Sequence, residues 1–168
     1  MGLSLDSFTH FKPIVITNFM TEQCFSNDNW ASLDQTLWNF AQKNDKILRG
    51  VESVEEQVAI IEKISVDEQI KTLKDTIQNF TKYRRQLRKL TQHYEQADIL
   101  SIYKTVKKTA HGKRELLLFN RNFLMARRIE ILSSEGSVCV AIGAGHLAGK
   151  KGVLSLLKKQ GFIVKMAN

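Results

Sequence analysis

The sequence predicts an α/β domain in which long amphipathic helices cover a small, mainly parallel central sheet. Helix-start signals recur through the first half of the chain, and short apolar segments next to glycines punctuate it. With 168 residues, 43% of them hydrophobic, the chain can build one ordinary core, burying roughly 70% of the surface of its unfolded form. A single proline, no low-complexity linker and no internal repeat leave residues 1–168 as one domain.

Taken in chain order, the first element is the short apolar run Pro13 to Met20. It contains Thr17 and Asn18 and lacks a small-residue cleavage site, so it does not make a signal peptide, and it is too short to span a bilayer. Met1-Gly2 does not open a myristoylation motif, because Asp6 stands where Ser or Thr is required. Ser32-Leu33-Asp34-Gln35, Ser53-Val54-Glu55-Glu56 and Ser65-Val66-Asp67-Glu68 are capping boxes. In each, the Ser hydroxyl and the side chain three residues on satisfy free N–H groups, so helices start near 33, 54 and 66. From Val66, Ile70, Leu73, Ile77, Phe80, Leu87, Leu90 and Tyr94 recur at helical steps, predicting one long helix with a buried stripe. Further helices follow at 95–108 and 116–133, with loops at Gly112 and Gly136.

Strands are expected at 46–51, 138–142 and 162–166. The middle one is continuously apolar, as a strand covered on both faces would be, and Cys139 is read as a core residue within it. A helix over Gly152–Gln160, closed by Gly161, joins the last two strands into a right-handed βαβ unit.

The net charge of +8 is spread over pairs such as Arg84-Arg85, Lys107-Lys108 and Lys158-Lys159, mostly on helix faces exposed to solvent. It would attract any anionic partner, but no zinc knuckle, RNP strand or helix-turn-helix accompanies it. Cys24 and Cys139 belong to no C-x-x-C pair.

Glu52 follows the first strand and His146 follows the second, each before a helix. In open α/β sheets ligands sit beyond the carboxyl ends of strands, so parallel neighbours would turn Glu52 and His146 into one crevice. Gly143 and Gly145 would let a substrate approach the main chain, and the turn would hold His146 as a ligand or base. On residue types alone, the alternative is a structural turn and a helix-terminal carboxylate.

The segment from Val140 through Gly143-Ala144-Gly145-His146 to Gly149, continued by Gly152-Val153-Leu154 and Leu157 to Phe162, resembles the closing segment of the TraB/GumN family. Gly50-Val51-Glu52-Ser53-Val54-Glu55-Glu56-Gln57 resembles its internal Glu motif, and Arg121-Asn122 with Met125-Ala126 its Arg-Asn helix. That family is similar to the animal Tiki metalloproteases. The resemblance therefore implies a divalent-metal hydrolase, a peptidase acting on peptide or protein, with Mn, Co or Zn as the metal. It makes Glu52 and His146 metal ligands or catalytic groups, Arg121 a polar or anion-binding support, and Asn122 a substrate-binding neighbour beside Gly143 and Gly145.

The chain departs from the family in two places. It has no first G-x-x-H, since His10, His93 and His111 lack a Gly three positions before them, and Asn120 replaces the acidic residue before Arg-Asn. The resemblance thus implies the C-terminal portion of the family domain, lacking N-terminal strands and inactive in this shortened form. An incomplete sheet predicts self-association. A leader upstream would place the protein outside the cell or in the periplasm. The competing expectation is a noncatalytic interaction or regulatory module with a basic surface.

Overall fold

The computed structural model describes residues 8–25, 32–110 and 112–167. Met1-Gly2, Asp6 and His111 lie outside them. Among the described residues the regular structure is entirely helical, which overturns the α/β expectation: the segments at 46–51, 138–142 and 162–166 have no sheet. They carry no regular secondary structure, and no backbone hydrogen bond joins one to another. Local pattern still shows in their burial. Val140 and Ile142 turn inward while Cys139 and Ala141 face out, and Phe162 and Val164 turn inward while Ile163 is 85% exposed. Cys139 is therefore not a core residue. The expectation of a strand covered on both faces fails with the sheet, because the apolar runs supply no pairing partner of the kind a ladder requires.

Two compact units divide the chain. The first comprises the N-terminal residues to Trp30 together with Ile61–Lys89. Its helix α1 (Pro13–Gln23) starts with Pro at the first position, where a missing N–H is harmless, and packs along helix α4 (Val66–Gln78). Gln69 of α4 is buried and fully used: its amide donates to the Ile64 carbonyl and accepts from the Ile14 N–H. Ser65 and Glu68 form the expected reciprocal cap of α4. The long helix expected from residue 66 is broken at Asn79, whose side chain binds the Asp75 carbonyl and carboxylate and competes with the helical ladder. Helix α5 (Phe80–Glu95) follows.

The second unit contains Ala31–Ile60 and Leu90–Asn168. Ser32 caps helix α2 (Leu33–Lys43), and Ser53 and Glu56 reciprocally cap helix α3 (Val54–Glu62). Helix α6 (Ile99–Thr109) is capped by Asp98, while Glu115–Phe119 form a π-helical turn running into helix α7 (Asn120–Glu135). Helix α8 (Val153–Lys159) ends at Gly161 with φ 97°, the Phe162 N–H closing on the Leu157 carbonyl. Met125, Ile129 and Val153 form the core, with Val51, Val140, Ile142 and Leu157 packed against it. Asn122, Met125, Ala126 and Ile129 are the buried face of α7, at the three- and four-residue steps of one helical stripe. No helix among the described residues is long and apolar enough to cross a membrane.

Candidate functional site

The second unit draws Glu52, Arg121, Asn122 and His146 into one cluster. Glu52 stands at the start of the α3 cap, and its side chain is only 5% exposed. Burying a carboxylate without a partner is costly; here Arg121, in the first turn of α7, satisfies both oxygens. Its Nε donates to Oε1 at 2.7 Å and its Nη2 to Oε2 at 2.6 Å, a planar fork matched to a carboxylate. Arg121 Nη1 also donates to the Leu117 carbonyl in the π-helical turn, and such turns recur at functional sites.

His146 ends a short 3-10 turn over Ala144–His146, closed by its own N–H on the Gly143 carbonyl at 2.9 Å. Its Nδ1 lies 2.6 Å from Asn122 Oδ1. Burial holds the imidazole pKa below its ordinary value, Arg121 adds to that through its positive charge, and Glu52 partly offsets it. The ring is thus kept neutral, with a lone pair available for a proton or a cation.

The neighbouring residues have other duties. Asn122 is 0% exposed, between His146 and the Lys151 carbonyl, so it contacts the protein and not solvent. Gly145 packs on α6: a Cβ there would stand 3.1 Å from a Val106 methyl. Gly143 is exposed, and a Cβ on it would meet only the His146 ring, at 3.7 Å. Gly149 has φ 91°, and a Cβ on it would run into the Tyr103 ring. His10 is exposed and His93 is half-buried on α5.

A second clamp had not been expected from the sequence. Arg128 donates through Nη1 and Nη2 to Glu56 at 2.6 and 2.8 Å, and through Nη1 to the Val51 carbonyl. Arg121 and Arg128 are seven residues apart, two turns of α7, and Glu52 and Glu56 are four apart; those spacings were the available signal. Lys151 is held by Glu115 at 2.7 Å and lies over the Phe119 ring.

A divalent metal asks for several donors together. Among the described residues no three His, Cys, Asp or Glu side chains come together to hold one, and both Glu52 oxygens accept from Arg121. His146 is a chemically apt ligand, but these residues alone do not fit a complete metal site.

These features define a helical domain that presents one neutral histidine on a glycine turn beside a buried Arg–Glu pair. The chain belongs to the TraB/PrgY/gumN family, whose profile matches residues 1–166. It is similar to a protein of Nematostella vectensis named metalloprotease TIKI homolog, 24% identical over 183 aligned residues that cover 90% of this chain. The chain spans 39% of the length of that relative. No solved structure matches it.

Proposed function

We propose that this domain is the His146-bearing part of a hydrolase of the metalloprotease type, acting on peptide bonds. The observation that carries the proposal is the gathering of Glu52, Arg121 and His146, with both charged residues close enough to act on the imidazole electrostatically. Family membership and the metalloprotease name of the Nematostella relative support it.

In this reading a neutral His146 accepts a proton from the attacking water, the role general-base catalysis assigns to an imidazole. Arg121 holds the Glu52 carboxylate in place, and its guanidinium charge favours negative charge developing on a carbonyl oxygen. Metal-dependent activity would need donors besides His146 and Glu52, since among the described residues no three His, Cys, Asp or Glu side chains come together.

The test is calorimetric titration of Mn²⁺, Co²⁺ and Zn²⁺ into wild type, His146→Ala and Glu52→Ala, paired with hydrolysis of a quenched fluorescent peptide library. Metal-stimulated cleavage that is lost in His146→Ala supports the proposal. A wild-type chain that takes up no metal and cleaves nothing sinks it for this domain.

A second reading, a noncatalytic module that binds an anionic partner, is favoured by α5. Lys82, Arg84, Arg85, Arg88 and Lys89 are exposed there, and none of them has an acidic residue three or four positions away. Partner binding that falls steeply with salt would select this reading.

A further inference from the structure

We infer that Asn122 is a positioning residue that fixes the ring proton of His146 on Nδ1 and leaves Nε2 as the working nitrogen. One group in this network has a role that cannot be exchanged. The Lys151 carbonyl only accepts, and it lies 2.7 Å from Asn122 Nδ2, so the amide must turn its NH₂ toward Lys151. Its Oδ1 then faces His146 Nδ1 at 2.6 Å. Two acceptor lone pairs at that distance would repel, and Asn122 is shut off from water, so Nδ1 must carry the hydrogen. In a neutral imidazole the single proton is then spent, and Nε2 holds the lone pair.

The orientation is locked from outside the ring. Lys151, whose carbonyl fixes the amide, has its ammonium tied to Glu115 and set over Phe119, both in the π-helical turn that leads into α7. Asn122 is itself part of the buried face of α7, with 0% exposure, so it has no free rotation to another partner. A chain of contacts therefore runs from the π-helical turn through Lys151 and Asn122 to the imidazole. This is the outer support that working histidines need, because the hydrogen bond at one nitrogen sets what the other can do. It also gives Asn122 a role other than substrate contact.

The inference rests on the hydrolase reading only for what Nε2 would do; the position of the proton stands on the geometry. The experiment is a long-range proton–nitrogen correlation spectrum of the histidine rings in the nitrogen-15-labelled full chain at mildly alkaline pH, with His146 assigned by its loss in His146→Gln. The expected wild-type result is a protonated, pyrrole-like Nδ1 and an unprotonated, pyridine-like Nε2. A wild-type ring with its proton on Nε2 overturns the inference.

Asn122→Leu removes the acceptor at similar volume and should release the proton to Nε2. Asn122→Asp keeps an acceptor and should hold it on Nδ1, which matters if the leucine variant does not fold. A folded Asn122→Leu that keeps the wild-type pattern would show that Asn122 is not the cause. An Asn122→Asp ring that moves its proton to Nε2 would do the same. No catalysis enters the readout, so a wild-type chain with the expected ring and no peptidase activity would retain this inference and reject only the hydrolase reading.

Discussion

Arg121 grips Glu52 through two parallel hydrogen bonds, Nε to Oε1 and Nη2 to Oε2, and the Glu52 side chain is almost wholly buried while that of Arg121 is 25% exposed. That asymmetry sets the order of two substitutions. Arg121→Met strands a buried charge and should cost about 3–5 kcal/mol. Glu52→Gln leaves the more solvated partner unpaired and should cost less. In a double-mutant cycle by urea denaturation, the pair of changes together should be milder than the sum of the single losses. Additive losses would show that the two residues do not act as a unit.

Acid should unfold the second clamp in a defined window. Arg128, helped by the Ser53 N–H, lowers the Glu56 pKa from 4.5 to about 2. As pH falls, the unfolded chain therefore takes up this proton first. The contribution is complete above the ordinary glutamate value and is lost as pH drops from there through about 2. Urea midpoints followed against pH should fall less steeply in Glu56→Gln over that interval, and parallel curves would reject the assignment.

His146 predicts a separate component nearer neutrality. Its folded pKa lies below the ordinary 6.5, from burial first and Arg121 second. The unfolded chain then protonates first as pH falls past 6.5, so the stability present above that value declines below it. His146→Gln should remove this decline while keeping the acid limb of Glu56. The same pH series checks both.

Helix α5 repels itself. Arg85 has Lys82 three residues before it, Arg88 three after and Lys89 four after. Arg85→Glu would turn all three relations favourable, at about 0.2–0.5 kcal/mol each. The variant should melt at a higher temperature at low salt, and the gain should fade as salt is added. An unchanged melting temperature at low salt would mean that these side chains do not interact.

Gly149→Ala should destabilise by about 2 kcal/mol or more, combining a left-handed backbone with overpacking. The φ is 91°, and the new Cβ would run into the Tyr103 ring at Cζ. Tyr103→Leu in the same chain should recover only the steric part, a separation that chemical denaturation can measure.

The helix starts at 33, 54 and 66 were legible because a capping box is local: Ser32, Ser53 and Ser65 each receive the N–H three residues on. Pro13 at the first position of α1 was a start signal of the same local kind, passed over because the apolar run after it invited comparison with leaders. The break at Asn79 depended on a side chain choosing Asp75 over the ladder, and nothing in the spacing of Ile77 and Phe80 shows that choice. The strand expectations failed for a different reason. The continuously apolar run Val138–Ile142 is a local property, whereas a sheet needs a partner from elsewhere in the chain.

The cluster was more legible than the fold, since Glu52, Arg121 and His146 sit in segments that resemble family motifs, although their residue types alone left a structural turn as the alternative. The buried location of Asn122 was not visible, because it depends on the Lys151 carbonyl and on the α7 face that meets the core. Arg128 was legible only in retrospect, through its two-turn spacing from Arg121 and its reach to Glu56.

Gly145 carries a consequence for how sequences of this kind can drift. Its nearest neighbours across the turn are the two methyls of Val106 at 3.1 and 3.3 Å, and its backbone is not in the left-handed region reserved for glycine. A methyl group at position 145 is thus packed tighter than usual and requires Val106 to give by a few tenths of an ångström. The two sites share one volume: an alanine at 145 loses this crowding when 106 shrinks to alanine, and a larger residue at 106 increases it. Substitutions there should travel in pairs, with a change on α6 preceding the change beside His146.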